Sequence, residues 1–143
     1  MSTRAMYTFS DDRGDNHVYK HHDGYPYCRF PQGEGGGLVW INKAIEYAWE
    51  FPRFEADEFS AAFVVANKEP RQGGVRLVNK VHPWEFASDC EYWYKVKIAV
   101  PALDVWVDVY SVTWWDKDRK EELVMSGALS ELLASERARK EVA

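Results

Sequence analysis

Two consecutive segments in the second half of the chain restrict its fold more than any other feature. In CEYWYKVKIAV (90–100) and LDVWVDVYSVTWW (103–115), large apolar residues recur at every second position. This period of two is typical of β-strands, whose side chains alternate between the two faces of a sheet. The Pro101-Ala102 turn between the segments predicts a hairpin. One face would carry Tyr92, Tyr94, Val96, Ile98, Val105, Val107 and Val109, and the other Trp93, Lys95, Lys97, Trp106, Asp108 and Tyr110.

The rest of the chain predicts an α+β fold. Short alternating segments flank the turn-forming DDRGD (11–15), whereas LVWINKAIEYAWEF and FEADEFSAAFVVANK repeat their apolar residues at helical spacing. Strands that are grouped apart from helices favour a mainly antiparallel sheet with a pair of helices on one face and a C-terminal helix. We expect a single domain over 1–143. The predicted strands cover 5–10, 16–22, 75–81, 90–100 and 103–115, and the predicted helices cover 38–51, 54–68 and 126–143.

The aromatic content is high for a chain of 143 residues. Seven Trp, eight Tyr and seven Phe make up 15% of the sequence, and each such ring buries a large apolar area. On the sheet face opposite the helices, Trp93, Trp106 and Tyr110 would lie among charged residues, where a bare solvent-facing surface is unfavourable. We therefore expect a homo-oligomer, with some rings at a subunit interface or in a ligand pocket.

Charge and hydropathy exclude several classes of function. The net charge of −5 argues against a long nucleic-acid partner, but a small phosphorylated ligand needs only a few cations. The apolar runs at 38–41 and 61–66 are too short to span a membrane. The N-terminal MSTRAMYTFSDD has no apolar core of a secretory signal, so we expect a cytoplasmic protein in which Cys28 and Cys90 stay reduced.

The stretch YKHHDGYPYC (19–28) raises the question of a metal or catalytic site. His17, His21 and Asp23 would share one side of a strand, but a metal site needs further ligands, so we expect neither a metal nor a cofactor. His21 or His22 could act as a base beside Asp23, although adjacent strand residues point apart. No nucleophile motif is present, and we expect no enzymatic activity. A small phosphodiesterase built on His17, His21 and Asp23 is the less favoured alternative.

The same stretch has a conformational role and leaves a set of candidate ligand-binding residues. Asp-Gly-Tyr-Pro favours a turn that includes a positive φ angle. Aromatic faces for stacking, together with Lys and Arg for phosphates, are typical of nucleotide binding, although each Arg could instead form a surface ion pair. The glycines at 33–37 could hold an anion before a helix or could simply connect two elements. The candidate ligand-binding residues are Lys20, His22, Asp23, Tyr25, Arg29, Arg53, Trp84 and Tyr92.

Two segments in the first half of the chain carry a resemblance to known proteins. VYKHHDGYPY (18–27) and AWEFPRFEADEFSAAFVVANK (48–68) resemble a group of small phage and prophage proteins with YKHxDGYP and PRFEADEF motifs. The chain is also similar to the first family of Thoeris anti-defence proteins. Those proteins combine a β-sheet with helices, form oligomers and sequester cyclic ADP-ribose-type messengers, and some bind cyclic oligonucleotides.

The resemblance implies a phage anti-defence sponge in the host cytoplasm. Such a protein would bind a nucleotide-derived immune signal without cleaving it, through aromatic rings, Arg and Lys at subunit interfaces. No individual role is transferred from that family to a residue of this chain. The alternative is an inhibitor that binds a host defence protein, similar to an anti-CRISPR, through the acidic surface and exposed aromatic residues.

Overall fold

A computed structural model describes residues 3–27, 35–51, 53–71, 74–99 and 104–142, with side chains as far as Glu136. The predicted α+β architecture is confirmed, with one six-stranded, mostly antiparallel sheet and three α-helices. The strands are β1 Ala5–Asp11, β2 Gly14–Lys20, β3 Val75–Val78, β4 Tyr92–Ala99, β5 Asp104–Thr113 and β6 Lys120–Ala128. The helices are α1 Gly37–Ile45, α2 Ala56–Asn67 and α3 Leu129–Val142, and Pro83–Glu85 form a short 3-10 helix.

The strand order in the sheet is β3-β2-β1-β4-β5-β6. The two predicted hairpins, β1–β2 and β4–β5, are confirmed as antiparallel pairs. β1 and β4 pair in parallel. Between β2 and β4 the chain passes through α1, α2 and β3, which provides the long crossover connection that a parallel pair needs. The predicted turn at Pro101-Ala102 lies outside the described residues.

The three helices cover one side of the sheet, which we call the helix face. Tyr7 and Tyr94 stack at 4.6 Å between ring centroids, and Phe63 of α2 packs on Tyr7 at the same distance. Phe59, one helical turn before Phe63, packs on Phe9. Val105, Val107 and Val109 of β5 are fully buried on this face, as their alternation predicts.

The other side of the sheet, which we call the loop face, is covered in part by the chain itself. Trp93 is only 8% exposed, because Trp114 packs edge-on against it and the segment 82–90 contributes Ala87 and Cys90 to the same cluster. The premise that Trp93 needs a second subunit for cover is therefore wrong. Trp106 is 37% exposed. Cys90 is a free thiol, and its burial raises its pKa to about 12.

One strand was not predicted, and the largest boundary errors lie at the start of α3 and at the ends of α1 and β3. Strand β6 was not predicted, and the helix expected from Ser126 begins at Leu129. β6 is an edge strand whose first residues are charged and exposed, so it lacks the apolar alternation of a half-buried strand. Helix α1 ends at Ile45 instead of residue 51, and β3 ends at Val78 instead of residue 81.

None of the described helices is long and apolar enough to cross a membrane.

Candidate functional site

The DGYP turn is held by contacts that explain its sequence. Asp23, and not Gly24, takes the positive φ angle, at 56°. Gly24 is needed for space, because a Cβ atom there would lie 2.6 Å from the Cβ atom of Ala5. Its backbone N–H donates to the Thr3 carbonyl at 2.8 Å, and its carbonyl accepts a hydrogen bond from the Tyr94 hydroxyl. The turn is therefore fixed against β1 and β4.

A cavity of about 230 Å³ opens beside this turn on the helix face. It lies where β2 ends and β3 begins, under the junction of α1 and α2. Three of the candidate residues, Lys20, His22 and Asp23, come together in it. The other lining residues are Trp40, Asn67, Glu69, Gly74 and Val75.

Trp40 of α1 organises this cavity. Its indole N–H donates to the Asp23 carbonyl at 3.0 Å, which ties the helix to the turn. The ammonium groups of Lys20 and Lys43 lie 4.6 and 4.4 Å from its ring centroid, within the range of cation–π attraction. Burial lowers the pKa of Lys20, although the nearby carboxylates of Asp23 and Glu69 act in the opposite direction. The cavity thus holds a partly desolvated ammonium against an indole.

Asn67 contributes a buried hydrogen-bond acceptor to the same region. Its Nδ2 group donates to the carbonyls of Trp40 at 3.1 Å and Phe63 at 2.9 Å, so the amide orientation is fixed and α1 is joined to α2. Its Oδ1 atom is buried and has no hydrogen-bond partner among the described residues. Buried hydrogen-bond acceptors usually have a donor partner. We therefore expect the Oδ1 atom of Asn67, which lies beside a cavity, to accept a hydrogen bond from a ligand or from a water molecule.

The remaining candidate residues lie elsewhere. The Tyr25 hydroxyl donates to the Asp23 carboxylate at 3.0 Å, next to the cavity, whereas Arg29 lies outside the described residues. Arg53 stacks on Trp49 at 3.5 Å. Trp84 packs on the loop face between His82 and Trp114, and Tyr92 packs against the core of the helix face. Arg53, Trp84 and Tyr92 therefore do not line this cavity.

The histidines of the first hairpin lie in three different environments. His17 is buried, its Nδ1 atom is 2.7 Å from the Thr8 hydroxyl, and burial lowers its pKa. His21 lines a second cavity on the loop face, while His22 lines the cavity described above. The two rings line different cavities, but their centroids lie only 4.7 Å apart, so the expectation that these neighbours point apart is wrong. Among the described residues, no three His, Cys, Asp or Glu side chains are placed to hold a metal ion. The groups named for a phosphodiesterase, His17, His21 and Asp23, do not form one site.

Comparison with protein-family models, with curated proteins and with solved structures found no match.

The start of α1 favours the connector interpretation of the glycine run. The Gly37 N–H donates to the Tyr25 carbonyl at 2.7 Å, and the Leu38 N–H donates to the Pro26 carbonyl at 3.5 Å. These donors are therefore used by the preceding loop and do not face an open anion site. Residues 33 and 34 lie outside the described residues.

Proposed function

We propose that this protein binds a nucleotide-derived immune signal and sequesters it without cleaving it, as a phage anti-defence sponge in the host cytoplasm. The observation that carries the proposal is the cavity that gathers Lys20, His22 and Asp23 beside the indole of Trp40. The resemblance of the DGYP and PRFEADEF segments to small phage proteins supports the same class of ligand. Cyclic ADP-ribose isomers and cyclic oligonucleotides are the candidate ligands.

The side chains of the cavity match the parts of a nucleotide. The Lys20 ammonium can pair with a phosphate oxygen. The indole of Trp40, over which Lys20 and Lys43 both lie, would offer its face to a base once an ammonium group moves from the ring to the phosphate. The carboxylates of Asp23 and Glu69 can accept hydrogen bonds from ribose hydroxyls. At about 230 Å³ the cavity suits one nucleoside-sized group, so the rest of a cyclic dinucleotide would extend beyond it.

Binding without cleavage can be tested by heating the complex. We expect cyclic ADP-ribose isomers or cyclic dinucleotides to raise the melting temperature, and mass spectrometry of the heat-denatured mixture to recover the ligand intact. Trp40→Ala and Lys20→Gln should each weaken binding by about tenfold or more, since each removes a stacking face or a charged hydrogen bond. Lys97→Gln, an exposed change on the loop face of β4, is the matched control and should leave binding unchanged.

A cleaved product would overturn sequestration in favour of an enzyme. The absence of any melting shift across both ligand classes would overturn nucleotide binding itself, and recovery of a stable complex with a host protein would then support the inhibitor alternative.

We further propose that the oligomer forms through the free edge of β3. The His21 N–H donates to the Gly74 carbonyl, and antiparallel pairs alternate in hydrogen bonding, so Arg76 and Val78 face β2 with their backbone groups. The N–H and C=O groups of Val75 and Leu77 consequently point away from the sheet. Leu77 is 72% exposed and borders an apolar groove that also includes Val65.

A second copy of the chain is the occupant that this edge favours. The other edge strand, β6, begins with Lys120, Glu121 and Glu122, which discourage strand pairing, whereas β3 carries only one charged residue. An antiparallel pair centred on Leu77 places the two copies of that side chain opposite each other and keeps the two Arg76 residues out of register. Gly74 and Val75 line the candidate cavity, so the second copy would border the ligand.

If two copies pair through the β3 edge, Leu77→Asp should convert the oligomer into a monomer. Light scattering coupled to size-exclusion chromatography measures this change in mass. A buried carboxylate at the centre of a strand pair is unfavourable without a partner charge. Leu123→Asp is the matched control, because Leu123 is equally apolar and 52% exposed but lies on the β6 edge. A monomeric wild-type protein, or an oligomer that survives Leu77→Asp, would rule out this interface.

A further inference from the structure

A second cavity, of about 360 Å³, lies on the loop face at the same end of β2. None of its lining residues lines the cavity already described. His21 lines the second cavity and His22 the first, and their ring centroids lie 4.7 Å apart. It is lined by Arg4, Tyr19, His21, Arg76, Phe86, Ala87 and Asp89.

The hydrogen bonds of His21 fix which ring nitrogen carries its proton. Arg4 Nε lies 3.3 Å from His21 Nδ1, and an arginine nitrogen can only donate. Nδ1 must therefore accept, and the Tyr19 hydroxyl, 2.7 Å away, also donates to it. The neutral imidazole consequently carries its proton on Nε2. Its remaining N–H is a hydrogen-bond donor that Tyr19 and Arg4 do not use.

The charges that line this cavity do not balance. Arg4 pairs with Asp89 at 3.2 Å, and that carboxylate is itself 59% exposed. Arg76 forms no ion pair with any residue in the described part of the chain. Two guanidinium groups thus face one carboxylate, in a chain whose acids outnumber its bases by 23 to 18. Burial, followed by the charge of Arg4, lowers the pKa of His21, so the imidazole is itself affected by excess positive charge.

We propose that this cavity binds a phosphoryl group. Arg4 and Arg76 would supply guanidinium donors, whose planar fork matches phosphate oxygens, and His21 Nε2–H would add a neutral donor. Phe86, which is 40% exposed and packs edge-on against Tyr19, forms an apolar wall beside the anion. The inference goes beyond the proposed function, because it concerns other residues on the opposite face of the sheet and stands whether or not the first cavity binds a nucleoside.

Inorganic pyrophosphate is the probe for this site. ADP-ribose is measured alongside it, and a comparison of the two affinities shows whether binding requires a phosphate that is attached to a nucleoside. Calorimetric titration should detect pyrophosphate binding to the wild-type protein at concentrations up to about 10 mM. Arg76→Gln should weaken it by about tenfold or more, because it removes a charged hydrogen-bond donor from the anion. Arg4→Lys keeps the charge but loses the fork, and should weaken binding to a smaller extent.

One control separates this site from general electrostatics, and the position of Arg76 separates it from the first cavity. Lys80→Gln removes one exposed positive charge, two residues after β3, that does not line the second cavity, and should change pyrophosphate affinity by about twofold or less. Arg76 lines the second cavity and not the first, so the loss of pyrophosphate binding in Arg76→Gln reports on this site even if the first cavity binds no nucleotide. The proposal is overturned if the wild-type protein does not bind pyrophosphate, or if Arg76→Gln and Lys80→Gln weaken binding equally.

Discussion

Replacing Gly37 by alanine is expected to lower the free energy of unfolding by about 2–3 kcal/mol, near the upper end of what overpacking usually costs. A Cβ atom at this position would lie 2.1 Å from both Cζ and the hydroxyl oxygen of Tyr94. The ring cannot move aside, because it is fully buried, stacks on Tyr7 and donates its hydroxyl to the Gly24 carbonyl. Alanine is a better helix former than glycine by at most about 1 kcal/mol, which is too little to reverse the sign.

The measurement is urea unfolding followed by tryptophan fluorescence, with Asn42→Ala as the matched control. Asn42 is an exposed residue of the same helix, so that change should stay within about 0.5 kcal/mol of wild type. The double variant Gly37→Ala/Tyr94→Leu should be less destabilised than the sum of its single changes, because the smaller side chain removes the overlap. A wild-type unfolding midpoint for Gly37→Ala would show that α1 does not approach β4 this closely.

The elements that the sequence predicted well are those whose burial alternates within a few residues. In β5 the valines at 105, 107 and 109 are all fully buried on the helix face, while Val112 and Trp114 continue the opposite parity into the loop-face cluster. A period of two is a local property, and the pattern is visible because one face of each strand meets a core. The hairpins β1–β2 and β4–β5 were predictable for this reason.

The elements that the sequence did not reveal depend on distant parts of the chain. β6 is an exposed edge strand, so charged residues occupy positions that would be apolar in a central strand. Trp93 resembles a solvent-facing tryptophan in the sequence, but Trp114, about twenty residues later, covers it. No local pattern shows which later segment will cover a given face.

The candidate site likewise contains residues that the sequence predicted and residues that it did not. Lys20, His22 and Asp23 meet because they are neighbours around one turn, whereas Trp40 and Asn67 reach the cavity from two different helices. The helical spacing of Leu38 and Ile41 identified the buried side of α1, but gave no reason to place Trp40 beside the turn. Arg53, Trp84 and Tyr92 were chosen for their chemistry alone, and the structure gives each a different neighbour.

Replacing Thr8 by valine is the second change expected to have a large effect, with a loss of about 2–4 kcal/mol in the free energy of unfolding. Thr8 is 2% exposed, and its hydroxyl oxygen accepts a hydrogen bond of 2.7 Å from the indole N–H of Trp93. The same hydroxyl also hydrogen-bonds Nδ1 of His17 at 2.7 Å, and the imidazole tautomer decides which of the two groups donates. One hydroxyl thus satisfies two buried polar groups from different strands.

Valine has almost the same shape as threonine, so the effect of Thr8→Val isolates these hydrogen bonds from packing. Both the Trp93 N–H and the His17 Nδ1 atom would stay buried without that partner, and each unsatisfied group costs about 1–3 kcal/mol. Ser10→Ala is the matched control, because it removes a hydroxyl from the same strand whose hydrogen bond, to Asp15, is exposed to solvent. That change should cost about 0.5 kcal/mol or less. Equal losses for the two variants in urea unfolding would show that the buried network adds nothing beyond a surface hydrogen bond, and that apolar packing alone holds the loop face together.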